Sequence, residues 1–544
     1  MMTWLQNYNP LGFFPASILL AVLPILFFVV TLIVLRWRIQ AASAGTLLLS
    51  LVLAVTVYEM PLFSALAAAI YGFCYGLWPI AGIIFSVVFL YRLTIKSGQF
   101  GVIRASIASI TPDARLQLIL IGFAFSAFLE GAAGYGAPVA ITAALLVGLG
   151  FDPIRAAMLC LVANTAPVAF GAMGTSITVA SQVSQVELTA LTRVAGIQLP
   201  LFSLLTLLWI IVTLSGWRGA FAILPALLVA GASFAGTMMA TAFWIGPQLP
   251  AITSSIACML ALTIFLRYWQ PAQVMRLREH APIYPKMIDA PKLNFGTVLY
   301  AWLPFILLTA AVVLWGSKTF QSLFGETGIF ADAVLLIEVP FLHGVIYKTA
   351  PIVGENTLYP AIYHLDLLSA MGAGIFAAAL LSAICLRLPL RSVAEVFVGT
   401  FHGLKWTILS IGLILGFATL SNYSGMSATL ALFLAQSGSV YPLLAPLLGW
   451  FGVFLTGSDT SSNALFAPLQ AMVADQIGVS DALLVAGNSL GGAAGKMISP
   501  QSISVACAAV GLLGREGDLL KATLKASAIF AVISGVVIFA QALI

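Results

Sequence analysis

Charge is what this chain has least of. Only 8% of its 544 residues are Asp, Glu, Lys or Arg, against 61% hydrophobic, and the stretches 156–186, 219–266 and 406–458 carry no charged side chain. A water-soluble fold is not covered by so few charges, and uncharged runs of that length are the material of membrane spans. Histidine is scarce too: His280, His343, His364 and His402 stand in or near loops, without metal-ligand spacing. The five cysteines (Cys74, Cys160, Cys258, Cys385, Cys507) lie singly in apolar segments, which excludes a disulfide framework and a CxxC metal pair. No nucleophile–base constellation stands out, so the residues of a membrane-embedded enzyme are missing. The net charge of +5 speaks for lysine and arginine lining one membrane face and not for nucleic acid. No cofactor and no metal are expected.

What is present is a series of apolar segments. Spans are expected at about 16–35, 44–59, 70–91, 156–181, 194–216, 219–245, 250–266, 296–315, 368–386, 404–421, 482–513 and 526–544. The first lacks a basic residue before it and is followed by Arg36-Trp37-Arg38, which reads as an uncleaved span with its N-terminus outside. Two further runs are interrupted. Between Arg115 and Asp152 the one charge is Glu130, within Phe128-Leu129-Glu130-Gly131-Ala132-Ala133-Gly134-Tyr135-Gly136-Ala137-Pro138. That run is too long for one span of roughly 20 residues and short for two. Its glycines break the backbone, so it reads as a re-entrant hairpin. The run 442–475, broken at Gly457-Ser458-Asp459-Thr460-Ser461-Ser462-Asn463, reads the same way.

With both hairpins returning to their own side, nearly all lysines and arginines fall on the inner face. Arg193, Lys318 and Lys348 fall outside and Lys496 lies within a span. This topology puts both termini and the acidic segment 318–366 outside, and the basic segments 267–292 and 387–405 inside. The chain also repeats itself: Gly76-Leu77, Ser97-Gly98, Phe128 to Gly131, Asn164-Thr165, Gly171 and Met173 recur as Gly403-Leu404, Ser424-Gly425, Phe454 to Gly457, Asn488-Ser489, Gly495 and Met497. The expected fold is an all-α polytopic membrane protein. It is built as an inverted repeat with two re-entrant hairpins and two broken transmembrane helices, the arrangement of secondary transporters. Its parts are repeat 1 (1–216), a connector (217–292) and repeat 2 (293–544).

Four breaks should meet at the midplane: 130–138, Asn164 to Pro167, Gly457 to Asn463 and Asn488 to Gly492. Half-helix N-termini there present free N–H groups and a favourable dipole to a small anion. Gly131, Gly134, Tyr135, Asn164, Thr165, Ser458, Thr460, Ser461, Asn488, Ser489 and Lys496 are the candidate substrate contacts, with Glu130 and Asp459 as proton carriers. Plainer roles stand beside these. Glu130 could be a structural carboxylate, Asp459 a helix cap, the two asparagines partners for broken backbone, and Lys496 the partner of Glu130, of Asp459 or of the substrate.

The segments FLEGAAGYGAPVAITAALLVGLGF (128–151), LVANTAPVAFGAMG (161–174), FLTGSDTSSNALFAPLQ (454–470), GKMISPQSI (495–503) and MTWLQNYNPLG (2–12) resemble the L-lactate permease family over essentially the whole chain. The resemblance implies a bacterial inner-membrane symporter taking up L-lactate, and often D-lactate and glycolate, with protons. It also implies an elevator-type motion of the inverted repeats. The partners are then a small monocarboxylate anion, H+ and the lipid bilayer, and a homodimer is left open. A sodium-coupled di- or tricarboxylate carrier is the other reading, with sodium held by hairpin carbonyls and the hydroxyls of 457–463.

Overall fold

The computed structural model describes residues 3–35, 37–132, 137–277, 294–325, 328–353, 355–512 and 515–544. Among these, ten helices are long and apolar enough to cross a membrane, and the chain is a multi-pass, predominantly helical membrane protein. Much of the basic segment 267–292, with His280, lies outside the described residues.

After Phe14–Ile33 and Ile39–Thr56, the third helical stretch is longer than its apolar stripe. Leu62–Tyr75 continues through a wide turn at Gly76–Ala81, bent at Trp78, into Gly82–Lys96. The span expected at 404–421 is likewise the apolar part of a 35-residue helix, Leu390–Ser424. Residues 390–403, expected as loop, are therefore helical. Hydropathy misses that part because it is polar, but an Arg391–Glu395 pair at i,i+4 (3.3 Å) suits an exposed helix face. Each long helix is followed by a left-handed glycine, Gly98 (φ 77°) or Gly425 (φ 88°), and a ten-residue helix, Gln99–Ala108 or Met426–Ala435.

Both interrupted runs form paired arms. The first runs from Ala114 to Ala132 and resumes at Ala137–Gly148; the second consists of Tyr441–Thr456 and Asp459–Ile477. The Ala114–Ala132 window is 94% buried inside the protein, so this arm is surrounded by helices and not by lipid. That is the condition under which broken backbone is tolerated at membrane depth. Pro153–Ala163 and Val168–Ser184 meet at 70° across the expected break.

The fourth break is not where the glycines put it. Asp481–Lys496 is helical straight through Asn488 to Gly492, and the chain breaks at 497–499 before Pro500–Ala509. The glycines serve packing instead. A Cβ on Gly491 would collide with the Pro446 carbonyl, one on Gly495 with that of Trp450, and one on Gly449 with that of Asn488. Small residues let two membrane helices approach backbone to backbone.

The start of the first hairpin is pinned by a buried ion pair. Asp113 caps the helix at the Arg115 N–H (2.9 Å), accepts from Arg115 Nη2 (2.7 Å) and from the Met275 N–H (2.9 Å), while Arg115 also reaches the carbonyls of Gly219 and Gln273. Burial pushes the Asp113 carboxyl up, but these hydrogen bonds and the Arg115 charge outweigh it and hold the group below the usual carboxylate range. A lowered folded-state value means the stabilisation is present above the unfolded value and is lost as pH falls through the folded one. Asp113→Asn is expected to cost about 3–5 kcal/mol at neutral pH, because Arg115 stays buried without its partner. The gap in thermal midpoint in detergent should shrink below about pH 4. An unchanged midpoint at pH 7 would mean that the carbonyls of Gly219 and Gln273 hold Arg115 unaided.

The acidic segment expected outside folds into a small β cap. Val334–Glu338 pairs antiparallel with Ile362–Asp366, and Ile346–Lys348 lies between Thr357–Leu358 and the chain's own Trp4–Leu5, the latter pairing parallel. Gln6 bonds the carbonyls of Asn422 and Tyr423, both at 2.8 Å. Gln476, at the far end of the second hairpin, reaches Pro351 of the cap (3.3 Å).

Candidate functional site

The breaks surround one cavity of about 1290 Å³. One wall comes from the hairpins and bent helices: Glu130, Gly171 to Ser176 in part, Thr456 to Ser461, Lys496 and Pro500 to Ser502. The facing wall comes from the 35-residue stretches, with Tyr91 and Arg92 on one and Gly403, Leu404 and Thr407 on the other.

Local chemistry explains each break. Gly457 (φ 71°) ends one arm, and Ser458 caps the next, its Oγ accepting from the Ser461 N–H at 3.3 Å. Ser499 caps Pro500–Ala509 by the same bond to Ser502, at 3.2 Å. The first bent helix stores strain: Ala172 (φ 43°), Met173 (φ 59°) and Gly174 (φ 67°) are all left-handed, a region that costs a non-glycine residue about 1–3 kcal/mol. This turn lays Gly171 against Glu130, where a Cβ would stand 2.8 Å from Oε1.

At the centre Lys496 Nζ donates to Glu130 Oε1 at 2.5 Å, with both side chains buried. The other Glu130 oxygen accepts from Asn164 Nδ2 at 3.0 Å, and Asn164 Oδ1 faces Ser126 Oγ at 3.4 Å. A lone charge at the bilayer centre costs about 2.5–3.5 kcal/mol on insertion scales, so each of these two ions needs the other. A second carboxylate, Asp459, is buried on the same cavity. Its Oδ2 lies 3.5 Å from Asn463 Nδ2, while Oδ1 has no hydrogen-bond partner among the described residues and rests against Gly492. Ser176 and Thr460 hydroxyls meet at 3.0 Å across the two halves. At its centre the cavity brings together Lys496, Glu130, Asp459 and the hydroxyls of Ser458, Thr460 and Ser461, in a space that admits a small anion. Among the described residues no cluster of His, Cys, Asp or Glu could hold a metal.

A family profile described as L-lactate permease matches residues 17–544. The chain belongs to the L-lactate permease family. Within it, the chain is 50% identical over 543 residues to the L-lactate permease of Salmonella typhi, covering 100% of this chain and 98% of that one. It is 51% identical over 543 residues to the L-lactate permease of Escherichia coli K12, with the same coverage. It is also 50% identical over 551 residues to a glycolate permease of that strain, again covering 100% and 98%.

In this L-lactate permease family chain Glu130, Ser458, Asp459, Thr460, Ser461 and Lys496 all line the cavity. Asn164 reaches it through Glu130. Thr165 instead bonds the Val162 carbonyl (2.7 Å) and faces Thr206 (3.4 Å), and Gly131 packs on Ala251 and Ile252. Asn488 and Ser489 lie behind the second hairpin, bonded to Asn463 at 2.8 and 2.7 Å. Gly134 and Tyr135 fall outside the described residues. Sequence reasoning did not place Ser176, Gln470, Tyr441 or Gln501 among the site residues. The signal for Ser176 was there, since Thr175-Ser176 is a polar pair inside an uncharged run. Nothing local marked the others.

Proposed function

We propose that this chain takes up L-lactate and related 2-hydroxymonocarboxylates, D-lactate and glycolate, by proton symport across the bacterial inner membrane. The observation that carries the reading is the Lys496–Glu130 pair in the cavity wall. With Glu130 ionised, its carboxylate holds the place on Lys496 that a monocarboxylate substrate needs. A proton on Glu130 frees the ammonium, and Asn164 keeps the protonated side chain aside. The substrate carboxylate then takes Lys496, its α-hydroxyl meets the hydroxyls of Ser458, Thr460 or Ser461, and the loaded site crosses with reduced net charge. Asp459 is the second proton-coupling carboxylate. An ionised group with a buried, unpartnered oxygen is costly, and a proton removes that cost.

The motion we propose is elevator-like, in a chain built of the repeats 1–216 and 293–544 joined by 217–292. In support, each half runs in the same order: a 35-residue helical stretch, a left-handed glycine, a ten-residue helix, a hairpin and a bent helix. The positive-inside tally orients the cap outward and the Arg92 end of the cavity toward the cytoplasm.

Purified protein in proteoliposomes, with pH and sodium gradients set independently, tests the reading. Radiolabelled L-lactate should accumulate with an inward proton gradient regardless of sodium, and Glu130→Gln should keep counterflow while losing proton-driven accumulation. In the same vesicles a cysteine at position 350 should label from the side opposite to one at 395. Accumulation that follows sodium at fixed pH would favour the sodium-coupled carrier instead.

A further inference from the structure

We infer that a buried chain of four side chains, Tyr441, Gln470, Asn488 and Asn463, dictates which way the Asn463 amide faces and so keeps its N–H end turned toward Asp459. The inference deepens the proposed function and rests on Asp459 being a proton-coupling carboxylate.

The four side chains are at most 1% exposed, and none lines the cavity. Tyr441 OH donates to Gln470 Oε1 at 2.9 Å, Gln470 Nε2 to Asn488 Oδ1 at 3.2 Å, and Asn488 Nδ2 to Asn463 Oδ1 at 2.8 Å. Asn463 Nδ2 then gives its two hydrogens to Ser489 Oγ (2.7 Å) and the Ser176 carbonyl (3.1 Å), with Asp459 Oδ2 at the edge of its reach (3.5 Å).

An amide group has a donor end and an acceptor end that look alike in shape, so its orientation must be fixed by its partners. Here both ends of the chain meet backbone carbonyls, which can only accept. Gln470 Nε2 faces the Ala445 carbonyl at 2.8 Å, and Asn463 Nδ2 faces that of Ser176. The two carbonyls demand the same polarity of every amide between them. Turning one amide over would set like ends face to face, and each buried group left unpaired costs about 1–3 kcal/mol.

Asp459 therefore meets only the N–H end of Asn463, alongside the Ser176 and Ser489 hydroxyls. Its Oδ2 is kept as an acceptor, and a proton arriving on the group belongs on Oδ1, the unpartnered oxygen beside Gly492. The chain of amides spans both arms of the second hairpin and the helix that ends at Lys496, so the proton site and the substrate's counter-charge share one rigid frame. The charged groups acting on Asp459 from the elements around it are Lys496, on Asp481–Lys496, and Glu130, on the first hairpin. Arg92 and Glu516 line the same cavity, and the second hairpin brings no further charge to its tip.

The test is the pH profile of L-lactate uptake in proteoliposomes for the parent, Asn463→Leu, Tyr441→Phe and Asp459→Asn. Losing the donor makes ionised Asp459 less favourable and lets it hold its proton at lower proton concentration. Asn463→Leu should therefore move the half-maximal pH upward by about half a unit, about threefold in proton concentration. Tyr441→Phe should move it the same way by less, and KM for lactate at saturating proton should stay at the parental value in both. Parental midpoints in both variants, with the dependence lost in Asp459→Asn, would reduce the amides to packing and overturn the inference. A parental profile in Asp459→Asn would overturn the reading of Asp459 itself, and the inference with it. If Asn463→Leu does not fold, Asn463→Ala decides, since it removes the same amide without adding a branched side chain.

Discussion

Lys496→Ala is expected to abolish measurable L-lactate binding. Removing one member of a buried charge pair between ligand and protein costs about 2–5 kcal/mol, and at 1.4 kcal/mol per decade the lower end is already about thirtyfold. The single variant also strands Glu130 in the cavity wall, where it has lost the partner at 2.5 Å. Loss of binding could then be confused with loss of fold, and the double variant Lys496→Ala with Glu130→Gln separates the two. It no longer strands Glu130 as an ion, so it should elute as a folded particle from detergent and still fail to bind L-lactate by calorimetry. Lys496→Arg should impair binding as well, because a planar guanidinium does not fit a space shaped around an ammonium. Undiminished affinity in the double variant would refute Lys496 as the substrate's counter-charge and leave it as the structural partner of Glu130.

A large effect on stability should also come from a glycine. Gly491→Val places a branched side chain where even a Cβ collides with the Pro446 carbonyl. The obstacle is backbone, not the far end of a flexible side chain, so relief requires the helices Tyr441–Thr456 and Asp481–Lys496 to separate. Overpacking of a tight core costs about 1–3 kcal/mol and sometimes more, and this seam is tight at Gly449 and Gly495 too. Little folded protein should survive extraction, as read by size-exclusion chromatography. Gly236→Ala is the control, since nothing lies within 4 Å of a Cβ there. In the helix Leu224–Trp244 it should gain a few tenths to about 1 kcal/mol. Equal yields from the two variants would show that the seam yields readily.

That seam also marks how far the sequence could be read. Gly457 with Ser458, and Asn164 with Pro167, mark their breaks by local chemistry: a left-handed glycine, a capping hydroxyl, a proline that cannot continue a helix. Those breaks stand where they were expected. Gly491-Gly492 had the same appearance and the opposite meaning. Glycine in a membrane helix serves close packing as well as bending, and which of the two applies depends on a neighbouring helix some forty residues away. The Lys496–Glu130 contact was legible as one of three pairings, because a buried ion must find a counter-ion and few were on offer. The amide chain was not. Tyr441, Gln470, Asn488 and Asn463 are ordinary residues one by one, and only the folded second half sets them in line. The long helices were legible in their apolar part alone, since the polar ends of Leu390–Ser424 show no hydropathy signal.

The strand pairing of the cap has a consequence for how the chain is made. Trp4–Leu5 leaves the ribosome well before its partner Ile346–Lys348, which follows more than 300 residues later. At about 5–20 residues per second, synthesis leaves the leading strand without its partner for roughly 20–70 s. Throughout that interval Trp4–Leu5 stays unpaired while the helices between it and its partner are inserted, and the small sheet closes only after them.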